Sequence, residues 1–351
     1  MSKAYLILEN GQVFEGESFG YEKEVIAELV FSSSMTGYIE LLTDPGYYGQ
    51  MVVSTFPLSG NIGVIHEDQE FDEVYISAYI VREYCEVPSN FRCEGDLRSF
   101  LIKNKVVALA GIDTRAIVKL IRDNGAMNAK ISFNKEISEK ELEEIRNYKV
   151  KDAVSVVSKR EEKRYISDKE KTVVLYDMGE RKSVIDMLTE RFNVISVPYD
   201  STAEYVLSLN PDGIIISDGP GDPRENSAAV EEIRKLIKSD VPMFGLALGH
   251  QLIALANGFE IGKLKYGHIG SNQPVKDNAS GRVYITAQNH GYFVTTDSVK
   301  DASIRFVNVN DGTCEGLVYD DGKVITVQFS IDFNEGPQNT SFLLDEFKDK
   351  M

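Results

Sequence analysis

The spacing of apolar residues in this chain changes character once, near residue 172. Before that point short runs dominate. Ala4–Leu8 and Gln12–Phe14 flank Glu9-Asn10-Gly11, and Asn-Gly between two apolar runs is a strong hairpin signal. Strand-like runs recur at 25–31, 51–54 and 74–81, and helices are predicted over 96–103 and after Asp113-Thr114-Arg115. In the second helix Ile117, Leu120 and Ile121 recur at helical spacing, Lys119 and Arg122 take the other face, and Asp113 or Thr114 is placed to cap it. After Thr172, apolar strands (172–176, 194–197, 213–217, 241–246) alternate with helices (183–191, 203–209, 228–238, 248–256). That alternation predicts a doubly wound, mostly parallel sheet with helices on both faces. The tail from Arg282 to Phe329 reads as strands and turns, closed by a helix over 341–348.

Between about Asn147 and Lys171 the periodicity fails and charge rises, through Lys159-Arg160-Glu161-Glu162-Lys163-Arg164 and Asp168-Lys169-Glu170-Lys171. Such a stretch reads as a solvated linker. The organisation expected is therefore α/β: a strand-rich N-terminal domain with some helix at 1–150, a charged linker at 151–171, and a doubly wound domain at 172–351.

A formal net charge of −17 argues against a nucleic-acid or anionic-membrane partner, because either would repel an acidic face. Three cysteines (Cys85, Cys93, Cys314) favour a reducing compartment over a disulfide framework, and the N-terminal residues lack the apolar core of a signal peptide. The expected location is cytoplasmic, with no membrane span.

The chemistry concentrates after residue 200. Pro242–Gln251 has the layout of a nucleophile elbow: an apolar strand, one residue at a sharp turn, then a helix, with Gly245 and Gly249 two places either side of the turn. The turn residue is Ala247, whose methyl group cannot attack an amide. Ser217-Asp218-Gly219-Pro220-Gly221-Asp222-Pro223 and Ala287-Gln288-Asn289-His290-Gly291-Tyr292 complete a set of three segments. Each lies at or after the C-terminal end of a strand, where open α/β sheets bind ligands.

These three segments, in this order, resemble a class I glutamine amidotransferase domain. Phe31-Ser32-Ser33-Ser34-Met35-Thr36-Gly37-Tyr38, Thr43-Asp44-Pro45, Ser89-Asn90-Phe91-Arg92 and Gly111-Ile112-Asp113-Thr114-Arg115 narrow the resemblance to the small subunit of carbamoyl-phosphate synthetase, nearly end to end. In that family the small subunit hydrolyses glutamine and passes ammonia through a tunnel to a large subunit, which combines it with bicarbonate and ATP. The resemblance thus implies a large-subunit partner, L-glutamine as a possible ligand, and no cofactor in this chain, with ATP and metal ions expected on the large subunit. No cluster has metal-ligand spacing.

Hydrolysis of this kind needs a thiolate nucleophile, a histidine that moves protons, and a carboxylate that orients it. Carried over by the resemblance, the cysteine falls on Ala247, the histidine on Ser330 and the glutamate on Asp332. The glutamine contacts fall on Gly219, Gly221, Leu248, Gln251, Asn289, Gly291 and Tyr292, the last standing where the family has phenylalanine. Substitutes are few: the histidines are His66, His250, His268 and His290, and Cys314 lies in a strand turn instead of an elbow. The expectation is a small subunit of carbamoyl-phosphate synthetase that has lost its own glutaminase activity while supporting synthesis for the pyrimidine and arginine pathways. The alternative is a non-catalytic module that binds glutamine as a regulatory signal.

Overall fold

Alternation along one strand organises the first part of the molecule. In the computed structural model, which describes residues 2–331 and 340–351, strand β1 (Ser2–Leu8) buries Ala4, Leu6 and Leu8 on one side and Ile7 on the other. Gly11, at φ 84, turns the chain back antiparallel into β2 (Val13–Ser18), the hairpin predicted from Asn10-Gly11. There follow β3 (Val25–Ser32), α1 (Tyr38–Thr43), β4 (Gln50–Ser54), β5 (Leu58–Ser59), β6 (Ala78–Ile80), β7 (Glu83–Tyr84), α2 (Leu97–Lys103), β8 (Val107–Ala110), α3 (Thr114–Asn124), β9 (Met127–Ser132) and α4 (Glu139–Arg146).

The strands β1-β2-β8-β6-β4-β3-β9 close into a barrel, with β9 pairing back onto β1. Closure satisfies the edges that an open sheet would expose. Leu6, Leu29, Val53, Ile80, Leu109 and Ile131 share one core cluster, joined by Ile117 and Ile121 of α3. Asp96 and Asp113 cap α2 and α3, accepting from the backbone N–H groups of Ser99 and Ala116. The run expected as a strand over 74–81 narrows to β6, because only Ala78–Ile80 find partners on both β4 and β8. Helix α4 was absent from the sequence reading, although its capping box of Ser138 and Glu141 is a local signal. It sets Leu142 and Ile145 over Ile7.

The second part holds α5 (Ala153–Val157), β10 (Lys163–Tyr165), β11 (Thr172–Asp177), α6 (Lys182–Thr189), β12 (Asn193–Pro198), α7 (Ala203–Ser208), β13 (Gly213–Ile216), α8 (Ser227–Ile237), β14 (Met243–Leu246), α9 (Leu248–Ala256), β15 (Ile261–Asp277), β16 (Val283–Val294), β17 (Ala302–Asn308), β18 (Cys314–Tyr319), β19 (Val324–Val327) and α10 (Phe342–Lys348). Among the described residues these strands form a ten-stranded sheet ordered β10-β12-β11-β13-β14-β19-β18-β16-β15-β17. Its centre, β12 through β19, is parallel. Side chains alternate between two cores: Val174, Tyr176, Ile214 and Ile216 face α7, α8 and α9, while Val173, Leu175, Ile215 and Phe244 face α6 and α10. This is the doubly wound α/β domain that the sequence predicts.

Contacts divide the chain into two units: residues up to Lys151 with Lys265–Ile269, and Asp152–Leu264 with Gly270 onward. The expected linker at 151–171 is therefore corrected: from Asp152 onward it folds with the second unit. Val154 and Val157 are buried, and β10 pairs antiparallel with β12. The Lys159 backbone N–H donates to Asp177 Oδ2 at 2.7 Å, and its Nζ lies 3.1 Å from the buried Glu180 Oε1. A three-residue edge strand exposes its charged side chains, so its composition imitates a linker. Among the described residues no helix is long and apolar enough to cross a membrane.

One half-buried acid gives the first unit a pH dependence. Burial pushes the Glu40 carboxyl up to about 7, with Asp68 and Glu70 adding to the shift and Arg92 opposing it. The folded state thus keeps a proton that the unfolded chain releases near 4.5. The stability this group contributes is complete below 4.5 and is lost as pH rises through about 7. Glu40→Gln should melt higher than the parent chain above pH 7 and at the same temperature near pH 4. Parallel melting profiles across that range would contradict this assignment.

Candidate functional site

The site begins at the turn from β14 to α9. Ala247 sits there at φ 43 and ψ −100, a backbone conformation disfavoured for any residue with a Cβ. Strain of this kind costs on the order of 1–3 kcal/mol and persists only where neighbours impose it. The neighbours are visible. A Cβ on Gly249 would lie 2.2 Å from the Ile216 carbonyl oxygen, and one on Gly245 would lie 2.8 Å from Ile253 Cδ1. The Ala247 N–H donates to Val327 O at 2.8 Å and the Gly249 N–H to Ser217 O at 3.1 Å. Helix α9 is thereby locked between β13, β14 and β19, with Ala247 half-buried at its start.

Where the base is expected, the structure places Ser330. Its backbone N–H donates to Ala287 O at 2.9 Å, and its Oγ accepts from Arg181 Nη2 at 3.1 Å. The same guanidinium donates through Nε to Asp218 Oδ2 at 3.0 Å, in a pair whose side chains are only 4% and 16% exposed. A buried ion pair thus sits against the residue at the base position. Neither guanidinium nor hydroxyl can shuttle protons near neutral pH as an imidazole does. Phe329 is fully buried and packs edge-on to Phe306, 5.3 Å between ring centroids. Asp332 lies outside the described residues.

The other histidines and Cys314 are committed elsewhere. His250 is fully buried with Nδ1 2.8 Å from Thr326 Oγ1, and burial pushes it down to about 3, so it stays neutral. His290 holds Nδ1 2.7 Å from Tyr292 O and Nε2 3.1 Å from Gln288 Oε1. His66 is exposed in the first unit beside Gln69, and His268 is buried in β15 where that strand groups with the first unit. Burial pushes the Cys314 thiol up to about 12, with Glu315 nearby adding to the shift. A thiol held there is protonated at neutral pH and is no nucleophile.

The seven carried-over glutamine contacts line the loop after β13, the start of α9, and β16. Gly219 lets the loop approach closely: a Cβ there would be 2.3 Å from Met178 O and 3.0 Å from Leu248 Cδ2. Gly221 takes φ 86 against Ala153. Gln251 is buried, and its Nε2 donates both to Tyr292 O and to Gln328 Oε1, each at 2.8 Å. Its amide hydrogens are therefore occupied within the protein. Asn289 and Gly291 lie half-buried on β16, and a Cβ on Gly291 would meet nothing within 4 Å.

Sequence reasoning missed three participants: Arg181, Gln328 and the Asp177–Glu180 pair. Arg181 stands at the N-cap of α6, where Ser, Thr, Asp or Asn is favoured, and that misfit was the available signal. Asp177 accepts from the N–H groups of Gly179 and Glu180, at 2.7 and 3.0 Å. Burial, with Asp177 beside it, holds the Glu180 carboxyl well above the usual carboxylate range. Lys159 Nζ, 3.1 Å from Glu180 Oε1, opposes that shift.

Comparisons with known proteins agree on the whole chain. Residues 6–131 match the family described as Carbamoyl-phosphate synthase small chain, CPSase domain, and residues 174–350 match Glutamine amidotransferase class-I. The carbamoyl phosphate synthase small chain of Clostridium perfringens is 47% identical over 346 residues, covering 98% of each chain. That of Archaeoglobus fulgidus is 43% identical over 354 residues, covering 99% of each. The pyrimidine-specific small chain of Bacillus subtilis is 41% identical over 348 residues, 98% of this chain and 95% of that one.

The geometry makes the nucleophile and the base separate deficits. Ala247→Cys should place a thiol at an intact elbow and still release no glutamate from glutamine above a protein-free blank. Sustained turnover by that single variant would show that the ion pair around Ser330 is no obstacle to catalysis.

Proposed function

Because the chain belongs to the carbamoyl phosphate synthase small chain family, we propose that it serves as the small subunit of such a synthase with its own glutaminase chemistry lost. The observation that carries this reading is the pairing of Ala247 at a preserved elbow with Ser330 held by the Arg181–Asp218 ion pair. The scaffold is built for a nucleophile and the reactive groups are gone. Loss of single triad members in serine proteases leaves roughly 10³–10⁴-fold catalysis over water, a small remnant of the original rate. Here nucleophile and base positions are both replaced.

In this reading the chain joins a large subunit as a heterodimer in the cytoplasm and stabilises it through the first unit. The large subunit carries ATP and its metal ions, and the complex makes carbamoyl phosphate from free ammonia for pyrimidine and arginine synthesis. Retention of the barrel unit, including its Asp113-capped helix α3, supports the partner role. A glutamine-sensing role gains nothing from the geometry, since the amide hydrogens of Gln251 are spent on Tyr292 and Gln328.

The test is reconstitution with the cognate large subunit. Ammonia-dependent carbamoyl phosphate formation, or the thermal stability of the large subunit, should rise when this chain is added. A large subunit with the same rate and the same stability in its absence would refute the proposal.

A further inference from the structure

The segment Ser89-Asn90-Phe91-Arg92 has no part in the site around Ala247. Phe91 is 96% exposed, and Val87 on the same loop is 81% exposed. A phenyl ring left almost wholly in water contributes nothing to the folding of this chain. A loose loop can carry such a ring harmlessly, but this loop is fastened on both sides. Ahead of the ring, the Cys85 N–H donates to Ser59 O and the Ser89 N–H to Asn61 O, each at 2.8 Å. Beyond it, the Glu94 N–H donates to Val64 O at 2.9 Å and the Val64 N–H to Gly95 O at 2.8 Å. Asn90 closes a turn around Phe91: its Oδ1 accepts from the Arg92 N–H at 2.8 Å and its carbonyl from the Cys93 N–H at 3.1 Å. Arg92 Nη2 donates in turn to Glu67 Oε2 at 3.0 Å and to Asp68 Oδ1 at 2.8 Å. The ring thus stands on a braced turn, and docking it would cost little ordering entropy.

Charge selects the occupant. Glu83, Glu86 and Glu94 along the loop, and Glu67 across the Arg92 clamp, are all exposed. An anionic bilayer, or a second copy of this chain at net −17, would bring negative charge against negative charge. A protein pocket that is apolar inside and edged by lysine or arginine complements both the ring and its surroundings. We propose that Phe91, with Val87 of the same loop, is the anchor by which the first unit docks into an apolar, cation-edged pocket of the large subunit. This rests on the reading of the chain as a small subunit, and it adds where the barrel unit is held by that partner. An aromatic side chain that fills a pocket carries a large share of the energy at a protein interface, so one ring suffices to test the assignment.

Phe91→Ala removes a ring that packs against little of its own chain, so the variant should melt with the parent. Binding of the full chain to the cognate large subunit is measured by calorimetry, alongside Ile166→Ala, which trims an exposed apolar residue of the second unit. The Phe91 variant should bind at least roughly tenfold more weakly, and the Ile166 variant as tightly as the parent. Phe91→Ala at parental affinity, or equal losses from both variants, would overturn the anchor and leave the small-subunit reading standing. A parent chain that does not bind the large subunit would overturn both. The same chains are sedimented alone and floated with phosphatidylcholine vesicles. Self-association or vesicle binding by the parent that Phe91→Ala abolishes would give the ring another occupant and overturn the proposal.

Discussion

The strained turn at Ala247 is the constraint on which the rest of the second unit depends. A residue with a Cβ holds φ 43 and ψ −100 only because α9 is pressed against β13 and β14 at positions where nothing larger than glycine fits. The same packing directs the first-turn N–H groups of α9 toward the C-terminal edge of the sheet, with Gly249 already bound to Ser217 O. In a working hydrolase such strain is part of presenting a nucleophile. Here it presents a methyl group. The fold continues to meet the cost of the elbow because the packing of α9 in the core requires it, whether or not any chemistry follows.

Electrostatics explains why the site is settled in its present state. Arg181 brings a permanent positive charge into a nearly buried position, where an unpaired ion would be prohibitive, and Asp218 neutralises it. Ser330 then serves as a hydrogen-bond acceptor for the same guanidinium. Removing one member would strand the other's charge, so the group now behaves as a structural unit. Buried Glu180, whose carboxyl burial and Asp177 push upward, is met by Lys159 Nζ at 3.1 Å. Along this edge of the sheet Arg181, Asp218 and Ser330 are tied into one charged, hydrogen-bonded group.

The elbow was legible in the sequence because everything that defines it is local: two glycines, an apolar strand and a helix within ten residues. The central parallel sheet was legible for the same reason, through runs such as Ile214–Ile216. Barrel closure was not, because β1 meets β9 through residues more than a hundred positions apart, and only the three-dimensional fold supplies that partner. The charged stretch 151–171 misled because Lys159 and Arg164 owe their places to Glu180, Asp177 and β12, all distant in sequence. The Arg181–Asp218–Ser330 group spans 37 and 149 residues between partners, so no spacing rule could have assembled it. Gln251 takes a ligand role by resemblance, and distant partners that no local spacing shows, Tyr292 O and Gln328 Oε1, accept from its amide.

On the proposed function this small chain supplies architecture and no ammonia. The most direct measurement gives the reconstituted complex glutamine labelled with heavy nitrogen at its amide, together with unlabelled ammonium chloride, and reads the isotope in the carbamoyl phosphate formed. Product carrying only unlabelled nitrogen is the predicted result. Label entering the product would show that the site around Ala247 still cleaves the amide, and would contradict the account.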